Sequence, residues 1–342
     1  NGEYTGLYHL RERFDSSFLA EHRGGSEDDY AAVNGGRAVD GSAAPWSAIK
    51  AAAGDFETFS TWVDVDQYLD FIVLNLFGAN TWDWNPNQNW MAAGPLDPEQ
   101  GWVFHSSDND IALYYGPDTW TLYQPGPDYT LSGLLAEAHP DFMVAMADAL
   151  HRNLHGDGPL TSLRTADRYS RLAEPIEDAV IAEAARWGGW GGGAWDPAAD
   201  WSTERDYLVD TWFPARTPAF LAHAEDAGWL PLPAPQLSPD EGMVAAGTTL
   251  EVRVPDGVDA TLWIRTDGGD PRLPGGAVAD EAVRGEPDFS DTLTRGRRVQ
   301  ARLERDGVWG PIEARLWEVD TSPPLILNEW NAVAPDKVLD EG

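Results

Sequence analysis

The apolar pattern of this chain changes period at Leu230-Pro231-Leu232-Pro233-Ala234-Pro235. Before that point, Tyr68, Ile72 and Leu76, together with Leu69, Val73 and Phe77, recur at the spacing of one helix face,. After it, Leu250–Val254 and Ala260–Arg265 alternate in polarity, with Pro255-Asp256-Gly257 between them as turn chemistry,. Neither pattern continues through a run of prolines, which lack the amide donor and fix φ. The expected class is therefore α+β. A mostly helical body with short strands spans residues 1–230, a stiff linker 231–235, and a small all-β sandwich 236–320,. A length of 342 residues agrees with two domains,.

Composition narrows the functional classes. The 57 acidic side chains against 23 basic ones leave a formal net charge of −34. Such a surface repels nucleic-acid phosphate and anionic lipid at long range. Hydrophobic residues make up 42% of the chain, enough to build a core, so this is not a disordered acidic tail,. The absence of cysteine excludes disulfides, thiol catalysis and thiolate metal sites,. No apolar run approaches the ~18 residues of a membrane span.

Within the helical body, Asp64 or Asp66 is placed to cap the helix that carries Tyr68 and Leu69,. Strands are expected at 2–10, 86–92 and 102–106, the last two joined through Gly94-Pro95-Leu96-Asp97-Pro98. Residues 24–55, rich in Gly, Ala and Asp, read as a loop-dominated insert,. Further helices are expected at 131–155, 160–186 and 203–227, with a Trp- and Gly-rich segment from Arg186 to Trp201 between the last two. Val299–Leu303 and Ala314–Val319 complete the sandwich pattern, and no fixed-period repeat is present,. The first residue is Asn1, and Asn1-Gly2 reads as a hairpin turn whose first strand lies upstream,. With Leu325 to Ala332 reading as a strand that opens a further domain, the chain is expected to be an internal piece of a larger protein.

Residues capable of chemistry concentrate between 78 and 115. The helix ends at Gly78-Ala79-Asn80-Thr81-Trp82-Asp83-Trp84-Asn85-Pro86-Asn87-Gln88-Asn89-Trp90, and Gly101-Trp102-Val103-Phe104-His105 leads to Ser106-Ser107-Asp108-Asn109-Asp110. A carboxylate after a helix, amides a few residues on and two carboxylates after a strand are hard oxygen donors suited to Mg²⁺ or Mn²⁺. Kinases use such a set for phosphoryl transfer. The same residue types also make turns and caps, and on spacing alone that reading stands beside the metal site.

The ordered set of motifs resembles the CotH kinases, a family built on an atypical protein-kinase-like fold. Asn1 to Asp15 resembles the family's lead from the N-lobe sheet into the hinge, and Val63-Asp64-Val65-Asp66-Gln67-Tyr68-Leu69-Asp70 its helix start. Asn80 to Trp90 resembles the catalytic loop, and Asp108-Asn109-Asp110 the family's metal-binding acidic element. The resemblance runs to about residue 228 and implies a transfer of phosphate from Mg-ATP to a protein hydroxyl. It implies Asp83 as the catalytic carboxylate orienting that hydroxyl, Asn89 (with Asn87 as competitor) and Asp108 as metal ligands, Asp108 also holding the ATP phosphates, and Asp110 in support. Glu12 is placed by it near the hinge and the nucleotide.

Two departures bear on activity. The loop from Asp83 to the metal-binding Asn is one residue longer than in the family, and Ser107 stands where the family carries Trp. The strands expected to supply a phosphate-binding cation precede Asn1, so the chain by itself is expected to be inactive. The rival reading is a non-catalytic adhesion or scaffold protein with a degenerate kinase-like domain. A carbohydrate-active enzyme would need two carboxylates ~5–10 Å apart across a cleft.

Among other residues, His105 reads either as a general base or as a packed strand histidine, and His151 and His155 lack a third metal ligand,. No Gly-x-Ser-x-Gly elbow is present, and most of the 17 Trp are expected to fill cores,. Gly247 to Leu250 and Thr261 to Arg272 resemble a chitobiase-type or fibronectin-like sandwich, which would space domains or present a surface to a glycan or cell-surface partner. Residues 321–342 resemble the start of a lamin-tail-like domain. Such modules and the acidic surface fit a secreted or surface-bound bacterial protein.

Overall fold

The computed structural model describes residues 5–8, 10–81, 83–84, 88–98, 101–120, 126–187, 200–285 and 288–320. It is an α+β molecule, helix-rich as far as Asp226 and built of strands from Gln236 onward. The expected strand over 2–10 is not formed at 5–8 and 10, which are irregular; the rest of that stretch lies outside the described residues.

Asp15 opens α1 (Ser16–Arg23) by accepting a hydrogen bond from the Phe18 amide at 3.1 Å,. Strands β1 (Tyr30–Asn34) and β2 (Arg37–Asp40) form a hairpin through Gly35 and Gly36, both at positive φ,. Helices α2 (Ala44–Ala51) and α3 (Phe56–Trp62) follow, so the expected loop-dominated insert is ordered structure. The physical reason is burial on both faces. Tyr30 and Ala32 pack with Phe14 and Leu19, while Ala31 and Val33 face the main core, which leaves no alternation to read,.

Helix α4 (Val65–Phe77) is capped by Asp64, which accepts from the Gln67 amide, whereas Asp66 pairs with Arg152. Strands β3 (Trp90–Pro95) and β4 (Val103–Ser106) join the first hairpin in an antiparallel sheet of order β2-β1-β3-β4. Gly94 and Pro95, expected in the joint, lie within β3. A Cβ at Gly94 would come within 2.3 Å of the Trp102 ring, so this glycine serves a close approach and not a turn,.

Each of the three remaining helical stretches is divided. Helices α5 (Thr130–Glu137) and α6 (Pro140–Leu154) part at Ala138, which has a φ of 51°, and Pro140 starts the second,. Helices α7 (Ser162–Ala173) and α8 (Glu177–Trp187) meet at Pro175. Helix α9 (Ser202–Tyr207) continues through a wide π-type turn at Leu208–Trp212 into α10 (Phe213–Asp226). Most of the Trp- and Gly-rich segment lies outside the described residues. Trp46, Trp84, Trp90, Trp102 and Trp212 are fully buried, as expected of core-filling indoles,. Arg216 is buried as well, donating to the carbonyls of Leu76, Phe77, Pro117 and Thr119 at 2.5–2.7 Å. It caps the end of α4, and burial pulls its pKa down to about 10,.

The C-terminal strands are β5 (Gln236–Ser238), β6 (Gly242–Ala245), β7 (Thr248–Arg253), β8 (Thr261–Arg265), β9 (Val283–Gly285), β10 (Phe289–Leu293), β11 (Arg297–Arg305), β12 (Val308–Trp309) and β13 (Glu313–Asp320). They form one sheet of order β10-β7-β5 and another of order β6-β13-β11-β8-β9, with β12 paired to β11. Leu250 and Val252 of the first sheet share a core with Leu262, Ile264, Leu303 and Trp317 of the second. The Pro-rich stretch is anchored at both ends, because Trp229 is buried in the helical core and Leu232 in the β core.

Ion pairs tie the two parts together. Arg302 of β11, buried, donates two bonds of 2.8 Å to the Asp148 carboxylate on α6 and also holds Asp270 at 2.7 Å. Asp141 of α6 receives Arg272 and the Gly275 amide, and His151 meets Glu313 at 2.5 Å. Burial pushes the Asp141 and Glu313 carboxyls up, but the bonds from Arg272 and His151 outweigh it and hold both below their ordinary values,. Burial lowers the pKa of the neighbouring His155. All three depressed groups favour the folded state above their unfolded pKa values and lose that contribution as pH falls. Stability is expected to decline below pH 6.5 through His155, and again below 4.5 and 3.8 through Glu313 and Asp141. Urea unfolding across this range checks it, and Glu313→Gln should flatten the lower limb.

Candidate functional site

The site grows out of the end of α4. Gly78 closes the helix, Ala79 takes a φ of 51°, and the Asn80 amide donates back to the Asn75 carbonyl at 3.1 Å. That reversal drives the Asn80 side chain inward to 1% exposure. Its Nδ2 donates to Asn109 Oδ1 at 3.1 Å and, more weakly, to Asn75 Oδ1 at 3.4 Å. Its Oδ1 accepts from the Asp83 amide at 2.9 Å, and its carbonyl accepts from the Trp84 indole at 2.7 Å. One amide side chain thus joins the helix end, the 80–90 loop and the loop after β4.

Asp83 is 2% exposed. Its Oδ1 accepts from Asn89 Nδ2 at 3.0 Å, and its Oδ2 from the Ile111 amide at 3.3 Å. A carboxylate at that depth needs such donors to offset its lost hydration. Asn89 has a φ of 57°, a conformation that asparagine tolerates, and its carbonyl accepts from the Ser107 amide at 3.0 Å,. Asn75 Nδ2 donates to the Phe71 carbonyl and to Ser106 Oγ, both at 2.8 Å, fixing the end of β4.

Asp108 and Asp110 lie just beyond β4 and are exposed. Asp108 takes a φ of 53°. Neither carboxylate has a hydrogen bond or ion pair among the described residues. Asp83, Asn89 and the Asp108–Asp110 loop are therefore brought to one place, through Asn80, Asn109 and Ile111. Asn87 lies outside the described residues. Glu12 stands apart from this network on the segment before α1, where its carboxylate meets His22 at 3.2 Å.

His105 sits on β4, its ring tilted against that of Phe14 at 4.6 Å between centres, and desolvation lowers its pKa,. Among the described residues no three His, Asp or Glu side chains are grouped so as to hold a metal ion. The oxygen donors here are instead the Asp108 and Asp110 carboxylates and the amide oxygen of Asn89, whose Nδ2 is engaged with Asp83.

The sequence reading gave no role to Asn75, Asn80 or Asn109. Asn75 carried a usable signal, being a polar residue between Leu74 and Leu76 on a helix buried almost all round. Comparisons with protein-family models, with curated proteins and with solved structures found no match.

Asn80→Ala leaves the buried Asp83 amide and Asn75 Oδ1 without their partner, and is expected to cost about 2 kcal/mol in urea unfolding,. Asp108→Gly should leave stability unchanged or raise it, because it relieves a left-handed backbone and breaks no side-chain hydrogen bond or ion pair among the described residues,.

Proposed function

We propose that this chain is part of a CotH-like atypical protein kinase, which transfers phosphate from ATP to a protein hydroxyl with Mg²⁺ or Mn²⁺. The observation that carries the reading is the bond from Asn89 Nδ2 to Asp83 Oδ1, made at the end of a hairpin that leads directly to two exposed carboxylates with no ion pair among the described residues. Phosphoryl transfer needs a held carboxylate to orient the hydroxyl, and separate oxygen donors for the metal that neutralises the phosphates. The order α4, Asp83, β3–β4, Asp108 supplies them within one tied unit.

In this reading Asp83 accepts the bond from the attacking hydroxyl and aligns it. Asp108 and the Asn89 amide oxygen hold the metal, with Asp110 in support. These hard oxygen donors suit Mg²⁺, which binds through one or two carboxylates and keeps several waters. A metal held by these residues would supply charge neutralisation to the ATP phosphates. Glu12 belongs to the nucleotide side of the cleft in this reading. The two C-terminal sheets would act as a spacer or as a surface for a glycan or cell-surface partner, a role that accords with a secreted or surface-bound protein.

A second reading, a non-catalytic scaffold, is favoured by the depth of Asp83 at 2% exposure. Titration calorimetry of Mg-ATP against the full-length parent protein separates the two. The kinase reading expects saturable, metal-dependent binding that falls at least about tenfold in Asp108→Ala. No binding by the unaltered parent would leave the scaffold reading.

A further inference from the structure

A cavity of about 250 Å³ opens beside the candidate site, between α4, the 109–113 loop and α7. Phe77, Leu113 and Phe213 form its apolar walls, and Leu74 and Leu172 stand at its rim, 50% and 66% exposed. Asn80 and Asn109, the two amides that tie the Asp83 loop to the Asp108 loop, form part of its lining. Asn80 Nδ2 and Oδ1 and Asn109 Oδ1 are already engaged with each other and with the Asp83 amide. The cavity therefore offers an incoming group apolar contact more than hydrogen bonds, and a branched aliphatic side chain suits it.

The charge at the mouth is opposite to that of the molecule. Helix α7 carries Arg164, Arg168 and Arg171 against Asp167 alone, in a chain of net charge −34. Arg164 is paired with Asp157 and Arg171 with Asp167. Arg168 lines the cavity, and among the described residues it has no carboxylate partner, only a 3.4 Å bond to the Pro159 carbonyl. A carboxylate beside the aliphatic group would be received there. Further acidic residues would meet the surrounding negative surface, whose field is screened only beyond about 8 Å at physiological salt.

We propose that this cavity is the docking pocket for the phosphoacceptor protein. It would take an aliphatic side chain that is followed by one carboxylate, in an otherwise neutral or basic segment. The proposal rests on the reading of Asp83 and Asp108 as phosphoryl-transfer residues and adds the class of sequence they serve. Because Asn109 lies between Asp108 and Asp110 and also lines the cavity, a segment seated there is held next to the reacting groups, and docking would act by positioning the hydroxyl,.

The test is fluorescence anisotropy with the labelled peptide Gly-Lys-Ser-Gly-Leu-Glu-Gly-Ser-Lys-Gly and the full chain, with no nucleotide or magnesium present. Its failure is thus distinct from a failure of Mg-ATP binding. Saturable binding is expected, weakened at least about tenfold by Leu172→Asp, by Arg168→Glu, or by glycine in place of the peptide leucine. Both protein positions are exposed, so the variants should fold. Exchanging the peptide glutamate for lysine should restore binding to Arg168→Glu. No saturable binding to the unaltered chain, or equal affinity for all variants, would overturn the proposal.

Discussion

A carboxylate removed from water must find donors within the fold, and at Asp83 those donors come from two segments that are separate in sequence. Asn89 reaches it from the start of β3 and the Ile111 amide from the loop after β4. Asn80 holds the backbone of the same residue and bridges to Asn109. The helix end, the hairpin and the acidic loop are consequently one unit, and none can shift without leaving a buried polar group unsatisfied. The exposed Asp108 and Asp110 are attached to that unit but contribute nothing to holding it. Separating held groups from unpaired ones is what a site requires if its geometry is set before a ligand arrives.

The larger frame follows the same logic of buried charge with complete partners. Arg216 closes the C-terminal end of α4 from the far side, four carbonyls satisfying a guanidinium that makes no ion pair among the described residues. Arg302 joins the helical and β parts through Asp148 and Asp270. Pairs at this depth contribute through specificity more than through net attraction, since desolvation takes back much of the Coulomb energy. What they fix is orientation. Here they set α6, which packs on α4, against the second sheet.

The coarse α+β division and the turn to strands after the prolines were legible because each part keeps one apolar period over many residues. The Asp64 cap was legible for the same reason, an acidic residue standing at the head of a strong helical pattern. Strand β1 was not, since Ala31, Ala32 and Val33 are covered on both faces and carry no alternation. Gly94 misled because a glycine chosen for a close ring contact has the same letter as a turn glycine. At the candidate site, Asp83 and Asn89 came forward through the family resemblance, and the structure shows them bonded to each other. Of their supports, Asn75 showed as a polar break in a buried helix, whereas Asn80 and Asn109 depend on a contact between loops distant in sequence, for which one chain carries no periodic signal.

The central claim is that the held carboxylate of Asp83 orients a hydroxyl for phosphoryl transfer. The most direct measurement is incorporation of radiolabel from [γ-³²P]ATP into protein by the full-length parent, against its Asp83→Asn variant. That substitution keeps the size of the side chain while removing its charge. The account predicts that incorporation falls at least about a hundredfold while Mg-ATP binding is retained. Incorporation by the variant at the rate of the unaltered protein would contradict it.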